Sequence, residues 1–150
     1  MAITGSVACV GSAVQLNHPQ AGGTWSSAST SVATINSSGL ATCLTAGTSV
    51  ISYTYTYNSC QFTDTYTMTV NAIPVVPTVA TTTFAYCQNA TATSLTATAA
   101  ASHSLKWYTV ATGGTGSSTA ITPVTTTAGT FTYYVTQVNA SGCEGPRSEE

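Results

Sequence analysis

The strongest constraint on this chain is an alternation of period two. In the run 51–57, Ile51, Tyr53, Tyr55 and Tyr57 fall on one face, and Ser52, Thr54 and Thr56 fall on the other. After Asn58-Ser59 the pattern resumes from Gln61 to Val70. Phe62, Tyr66, Met68 and Val70 share a face there, with Thr63, Thr65, Thr67 and Thr69 opposite. Successive strand side chains point to opposite faces, so two such runs joined by a short polar turn read as a β-hairpin with an apolar and a hydroxyl face. Thr, Val and Tyr favour strands, and no ten-residue stretch has helical periodicity. The expected class is all-β.

Charge is almost absent. Among 150 residues only Lys106, Arg147, Asp64, Glu144, Glu149 and Glu150 are charged, 4% of the chain, against about 25% in an ordinary soluble domain. The 32 threonines and 18 serines take over the solvent-facing positions. Two scattered cations cannot form the basic patch that nucleic-acid binding needs. Charge-driven disorder is excluded by a net charge of −2 and 43% apolar residues. No apolar run approaches the roughly 18 residues of a membrane span, and no basic segment precedes an apolar stretch as in a signal peptide. The abrupt ends read as those of a piece cut from a longer protein.

Pro74 and Pro77 lie in Asn71-Ala72-Ile73-Pro74-Val75-Val76-Pro77-Thr78. Proline stiffens extended chain and cannot donate to a ladder, so a short linker at 74–79 is expected between domains 1–73 and 80–150. Domains this small have marginal cores. The five cysteines, 9, 43, 60, 87 and 143, contain no Cys-x-x-Cys pair, and their long spacings suit bridges across a secreted sandwich. Cys87–Cys143 is the one pair available after the linker, and Cys9–Cys60 would tie the first strand to the hairpin. Each would contribute about 4 kcal/mol on the chain-entropy account. Cys43 is left over, either as a free buried thiol or in an intermolecular bridge. Sequons at Asn36, Asn89 and Asn139 fit an extracellular chain, but arise readily by chance in one so rich in Ser and Thr.

Few residues could carry chemistry. His18, in Asn17-His18-Pro19, and His103, in Ser102-His103-Ser104, read as exposed loop residues. Asp64, on the apolar-facing side of the hairpin, has no motif linking it to either, so no catalytic triad is expected. Asp64 and Glu144 are too few carboxylates for calcium, and no metal or other cofactor is expected. The piece 112–118 (Thr-Gly-Gly-Thr-Gly-Ser-Ser) lacks the lysine and following helix of a phosphate loop and reads as a sandwich loop. Thr54, Thr56, Thr63, Thr65, Thr67 and Thr69 form a threonine ladder that could contact a surface, ice included; strand propensity with polarity explains it as well. Tyr53, Tyr55 and Tyr57 would make a sugar platform if exposed, but alternation assigns them to the core. Leu105, Trp107 and Thr109 face one way, and Lys106 and Tyr108 the other. Trp107 is a candidate core tryptophan beside the Cys87–Cys143 bridge, with Phe131, Tyr133 and Val135 on the facing strand, and Trp25 is the core candidate of the first half.

The stretches Gly22-Gly23-Thr24-Trp25-Ser26-Ser27, Ser31-Val32-Ala33-Thr34-Ile35, Ser38-Gly39-Leu40-Ala41-Thr42 and Ala46-Gly47-Thr48-Ser49-Val50 follow in order. They resemble the bacterial Ig-like group 2 domain of surface adhesins, and paired Cys9 and Cys60 resemble its Bacteroidetes variant. Cys43 departs from that pattern. Tyr86-Cys87-Gln88-Asn89, Leu105-Lys106-Trp107-Tyr108, Tyr133-Tyr134-Val135-Thr136-Gln137 and Gly142-Cys143-Glu144 resemble a second Ig-like module, repeated in large type IX-secreted proteins such as gliding adhesins. Such modules run on past the Arg147 region, so the last strand is expected to be missing. The resemblance implies two tandem Ig-like β-sandwiches in a secreted, non-catalytic cell-surface filament. Neighbouring repeats would be partners, and surface glycans or substratum further ones. The alternative is an accessory module of a polysaccharide-acting enzyme, or a carbohydrate-binding module.

Overall fold

The computed structural model describes residues 3–149, and they are all-β, with no helix among them. The chain divides into two compact units, 1–72 and 73–150. The first holds β1 (Ala8–Cys9), β2 (Ala13–Gln15), β3 (Thr24–Ser27), β4 (Ala33–Ile35), β5 (Leu40–Cys43), β6 (Gly47–Tyr57) and β7 (Cys60–Asn71). The second holds β8 (Thr78–Val79), β9 (Ala97–Thr98), β10 (Ser104–Tyr108), β11 (Tyr134–Val138) and β12 (Ser148–Glu149).

In the first unit β6 and β7 form the hairpin, in antiparallel register from Gly47↔Val70 to Tyr57↔Cys60. The turn is Asn58-Ser59, with φ of 48° and 63°. Both central residues are left-handed, as in the type I′ turns whose twist matches that of the strands. The hairpin is the spine of a sheet of order β1-β7-β6-β3, and β2-β5-β4 make a second sheet. Ile51, Tyr53, Met68 and Val70 from one sheet meet Val14, Ala33, Ala41 and Cys43 from the other in one core. Ser49, buried between the sheets, is satisfied by the Ser27 hydroxyl at 2.8 Å and the Ser29 amide at 3.0 Å.

The hairpin outruns its sandwich. Toward the tip, Tyr57 and Phe62 are exposed although they continue the apolar face, because the core beneath them has ended. Trp25 is half-buried at the core margin instead of central, its ring 4.5 Å from that of Tyr53.

The second unit has sheets of order β10-β11-β12 and β8-β9. Its core is smaller: Leu95, Trp107, Tyr133 and Val135. Trp107 and Tyr108 are both buried although they point to opposite faces. The loop after β10 folds back over Tyr108, forming a bridge between Trp107 and Ser117. Phe131 is exposed, because β11 begins only at Tyr134. Gln137, fully buried in β11, donates through Nε2 to Val75 O at 2.9 Å and accepts from Ala100 N at 2.8 Å. One side chain thus holds two distant segments against the sheet. The segment 74–79, read above as a linker, is therefore packed into this unit: Pro74 and Pro77 are buried and β8 pairs with β9. A closing strand exists as well, since β12 pairs with β11 at Tyr134↔Glu149 and Val135↔Ser148.

The cysteines depart from both expected bridges. Neither Cys9 nor Cys143 is a free thiol, whereas Cys43, Cys60 and Cys87 are free. Cys9–Cys60 is ruled out by register. Cys9 pairs with Asn71 at one end of the 12-residue β7, and Cys60 is at the other end, roughly 36 Å away at the usual strand rise. A disulfide needs Cα atoms within about 7 Å. For Cys87–Cys143, Cys87 is exposed in a segment tied to Thr125 through Asn89 N at 2.9 Å, before β11. Cys143 is buried in the turn after β11, its N–H donating to Asn139 Oδ1 at 3.0 Å. Asn36 shapes the 36–40 turn in the same way, its Oδ1 accepting from Ser38 N and Leu40 N. Two of the three sequon asparagines therefore have a turn-forming role.

Two predictions follow from these geometries. Replacing Ser59, whose φ is 63°, by Gly removes the left-handed penalty and should stabilise the first unit by about 1 kcal/mol, read as a higher denaturant midpoint. Alkylation of the folded chain should modify Cys60 and Cys87, and Cys43 only after unfolding. Non-reducing peptide maps showing Cys9–Cys60 or Cys87–Cys143 would contradict the structure.

Candidate functional site

Three places gather polar chemistry, two in the first unit and one in the second. The first lies beside the hairpin. Alternation puts Tyr53, Tyr55 and Asp64 on the apolar-facing side, and the loop after β2 lays His18 across them. Its Nδ1 lies 3.1 Å from Gln20 N and its Nε2 lies 2.9 Å from Asp64 Oδ2, within hydrogen-bond reach of both. The His18 ring lies 4.4 Å from the Tyr53 ring and 5.0 Å from the Tyr55 ring. Its side chain is only 1% exposed. The expectation of an exposed loop histidine unrelated to Asp64 is thus corrected, because the loop closes onto the hairpin.

Tyr53 completes that closure, accepting from Gly23 N and donating to Gln20 O, both at 2.8 Å. The hydrogen bond from His18 holds the Asp64 carboxyl below the usual carboxylate range. Burial, then the Asp64 charge, push the Tyr55 hydroxyl up; its O–H contacts Asp64 Oδ2 at 3.4 Å. Both imidazole nitrogens are committed and the ring is enclosed by tyrosines. The cluster therefore works as a clamp on the 18–23 loop. His103 lies in the other unit, where Nδ1 contacts Ala101 O of its own turn at 2.7 Å.

The second place is the opposite face of the same sheet. Register aligns Thr24, Thr54 and Thr63 in one row, and Ser26, Ser52 and Thr65 in the next. Thr67 opposes Val50, Thr69 opposes Thr48, and Thr56 opposes Gln61. The Thr54 and Thr63 hydroxyls are 3.0 Å apart. All six threonines of the expected ladder share this face; Thr54 is half-buried and the rest are exposed. Thr24 and Ser26 extend it across a third strand. The alternation Thr-Trp-Ser marks them as a strand, but pairing β3 beside β6 is a tertiary fact. The face offers hydroxyls in rows for contact with a surface, and no acid or base converges on it.

The third place gathers Lys106, Glu144 and Arg147. Tyr108 donates to Glu144 Oε1 at 2.6 Å, and Lys106 Nζ lies 3.1 Å from Glu144 Oε2. The Arg147 guanidinium packs 3.4 Å from the Tyr108 ring centroid and donates to Val110 O and Gly113 O. Hydrogen bonding to Glu144 raises the Lys106 pKa. These charges pin the Gly-rich loop onto the sheet. Among the described residues no group of three or more His, Cys, Asp or Glu is placed to hold a metal ion, and no helix is long and apolar enough to cross a membrane.

A family model described as "Ig-like domain CHU_C associated" matches residues 74–149, just over half of the chain. The chain belongs to this family. The Ig-like module so defined begins at Pro74, in agreement with the packing of that proline into the second unit. It contains the buried Trp107, the Gln137 anchor and the charge cluster on Tyr108. No curated protein matches the chain. Together, the family match and the all-β architecture give an Ig-like β-sandwich fold.

The depressed Asp64 pKa has a defined consequence. Its stabilisation is fully present above the unfolded value, about 3.9, and is lost as pH falls through the lower folded value. Melting temperatures of the first unit should therefore drop below about pH 4. Asp64→Asn should lower the melting temperature at neutral pH and flatten that acid limb. Equal acid limbs in both proteins would refute the assignment.

Proposed function

We propose that this chain is a structural and adhesive repeat segment of a large secreted cell-surface protein, a filament or gliding adhesin, in which it acts as spacer and stalk. The observation that carries this reading is the Ig-like family match over 74–149, in a chain whose polar clusters are spent on clamping loops. His18, Asp64, Tyr108, Glu144 and Arg147 all have structural partners, and catalysis needs groups free to exchange protons with a substrate. The module is read as non-catalytic on that ground. Exposed Thr and Ser rows keep the sheet surface wettable without charge.

The first unit is taken as a bacterial Ig-like group 2 domain, on the order of its Gly-Thr-Trp, Val-Ala-Thr-Ile and Ser-Gly-Leu-Ala-Thr stretches along β3, β4 and β5. Neighbouring Ig-like repeats of the same chain are the expected partners, and export by type IX secretion follows from the adhesin resemblance. Antibody raised against this fragment should label intact, unpermeabilised cells of the source bacterium. Deleting the parent gene should reduce attachment or gliding. Labelling only after permeabilisation sinks the proposal.

A further inference from the structure

The second unit leaves one concavity unaccounted for by the stalk reading. A cleft of about 740 Å³ lies among the segments 82–88, 95 and 123–133, within the size range of small-ligand sites. Its lining contains no charged residue and combines aromatic rings and threonine hydroxyls with aliphatic residues such as Leu95, Pro123 and Val124. The Phe84 and Tyr86 rings are nearly parallel, 12° apart with centroids 6.5 Å from each other. Phe84 is 40% exposed and Phe131, also in the lining, is 45% exposed. Thr82, Thr127 and Thr130 supply hydroxyls among them.

This combination selects a ligand class. Exposed aromatic faces carry negative quadrupole density, which attracts polarised C–H groups such as those on one face of a pyranose ring. Threonine hydroxyls donate and accept, matching the hydroxyls at a sugar's edge. A charged ligand would be desolvated there without a partner of opposite sign. Of the three hairpin tyrosines, Tyr53 is buried and Tyr55 is packed against His18 and Phe62, so Tyr57 alone is exposed and they form no sugar platform. We propose that the cleft between Phe84, Tyr86 and Phe131 binds a neutral oligosaccharide, which adds a direct glycan contact to the spacer role.

The test is calorimetric titration of the whole 150-residue chain with linear hexasaccharides of glucose, xylose and mannose. A uronic-acid hexasaccharide and an uncharged Thr/Val-rich decapeptide serve as comparators. At least one neutral sugar should bind with Kd of about 0.1–1 mM. Phe84→Ala and Phe131→Ala should each weaken binding about tenfold, with melting temperatures near wild type because both rings are exposed. Amide shifts on titration should map to 82–88 and 123–133. Lack of binding by all three neutral sugars overturns the proposal. So does binding that survives the double variant, or preference for the acidic sugar or the peptide. None of these results would alter surface labelling of cells, so the stalk reading stands or falls separately.

Discussion

The register of the β6–β7 hairpin is the constraint on which the first unit depends. The two-residue turn at Asn58-Ser59 sets Tyr57 opposite Cys60, and that pairing fixes every partner down to Gly47 and Val70. A slip of one residue would carry Ile51, Tyr53, Met68 and Val70 to the solvent and bring the threonines into the core. The same register aligns the hydroxyl rows and delivers Asp64 to His18. It also places Cys60 at the tip, away from Cys9. Core, surface, clamp and thiol state are thus consequences of one turn.

The scarcity of charge takes on a different meaning in this fold. The described charged side chains are not spread over the surface as solubilising groups. Asp64 is spent on His18 under a pair of tyrosines, and Lys106, Glu144 and Arg147 gather on Tyr108. Exposed ion pairs contribute little to stability, so the value of these groups lies in where they attach the chain. Each cluster fastens a loop to a sheet: the 18–23 loop in one unit and the 110–113 loop in the other. Surface wetting is left to threonine and serine, which combine hydroxyls with strand propensity.

The two units solve the small-core problem differently. The first buries a continuous apolar core between its sheets, and even its buried polar group, Ser49, is satisfied across them. The second has few paired residues outside β10 and β11 and relies on Gln137, which bonds to Val75 and Ala100 from inside the core. Buried amides of this kind specify one arrangement, because leaving their partners unmet costs about 1–3 kcal/mol each. That dependence ties the proline segment to the module and explains why a stretch that looks like a linker is part of the fold.

The local code was legible in the sequence. Period-two alternation identified the hairpin, its turn and its two faces, because side-chain direction along a strand is decided by the strand itself. The Ig-like resemblance of the second half was legible for the same reason, as ordered short motifs along one chain. What only the tertiary structure decided was which distant segments meet: β3 beside β6, His18 on Asp64, Gln137 against Val75, and the cysteines that pair or stay free. Spacing along the chain does not report distance in a sandwich. Cys9 and Cys60 belong to strands of one sheet but lie at opposite ends of β7, whereas His18 and Asp64, 46 residues apart, share a proton-mediated bond. Loop closure and strand pairing settle these distances, and both depend on the whole chain packing at once.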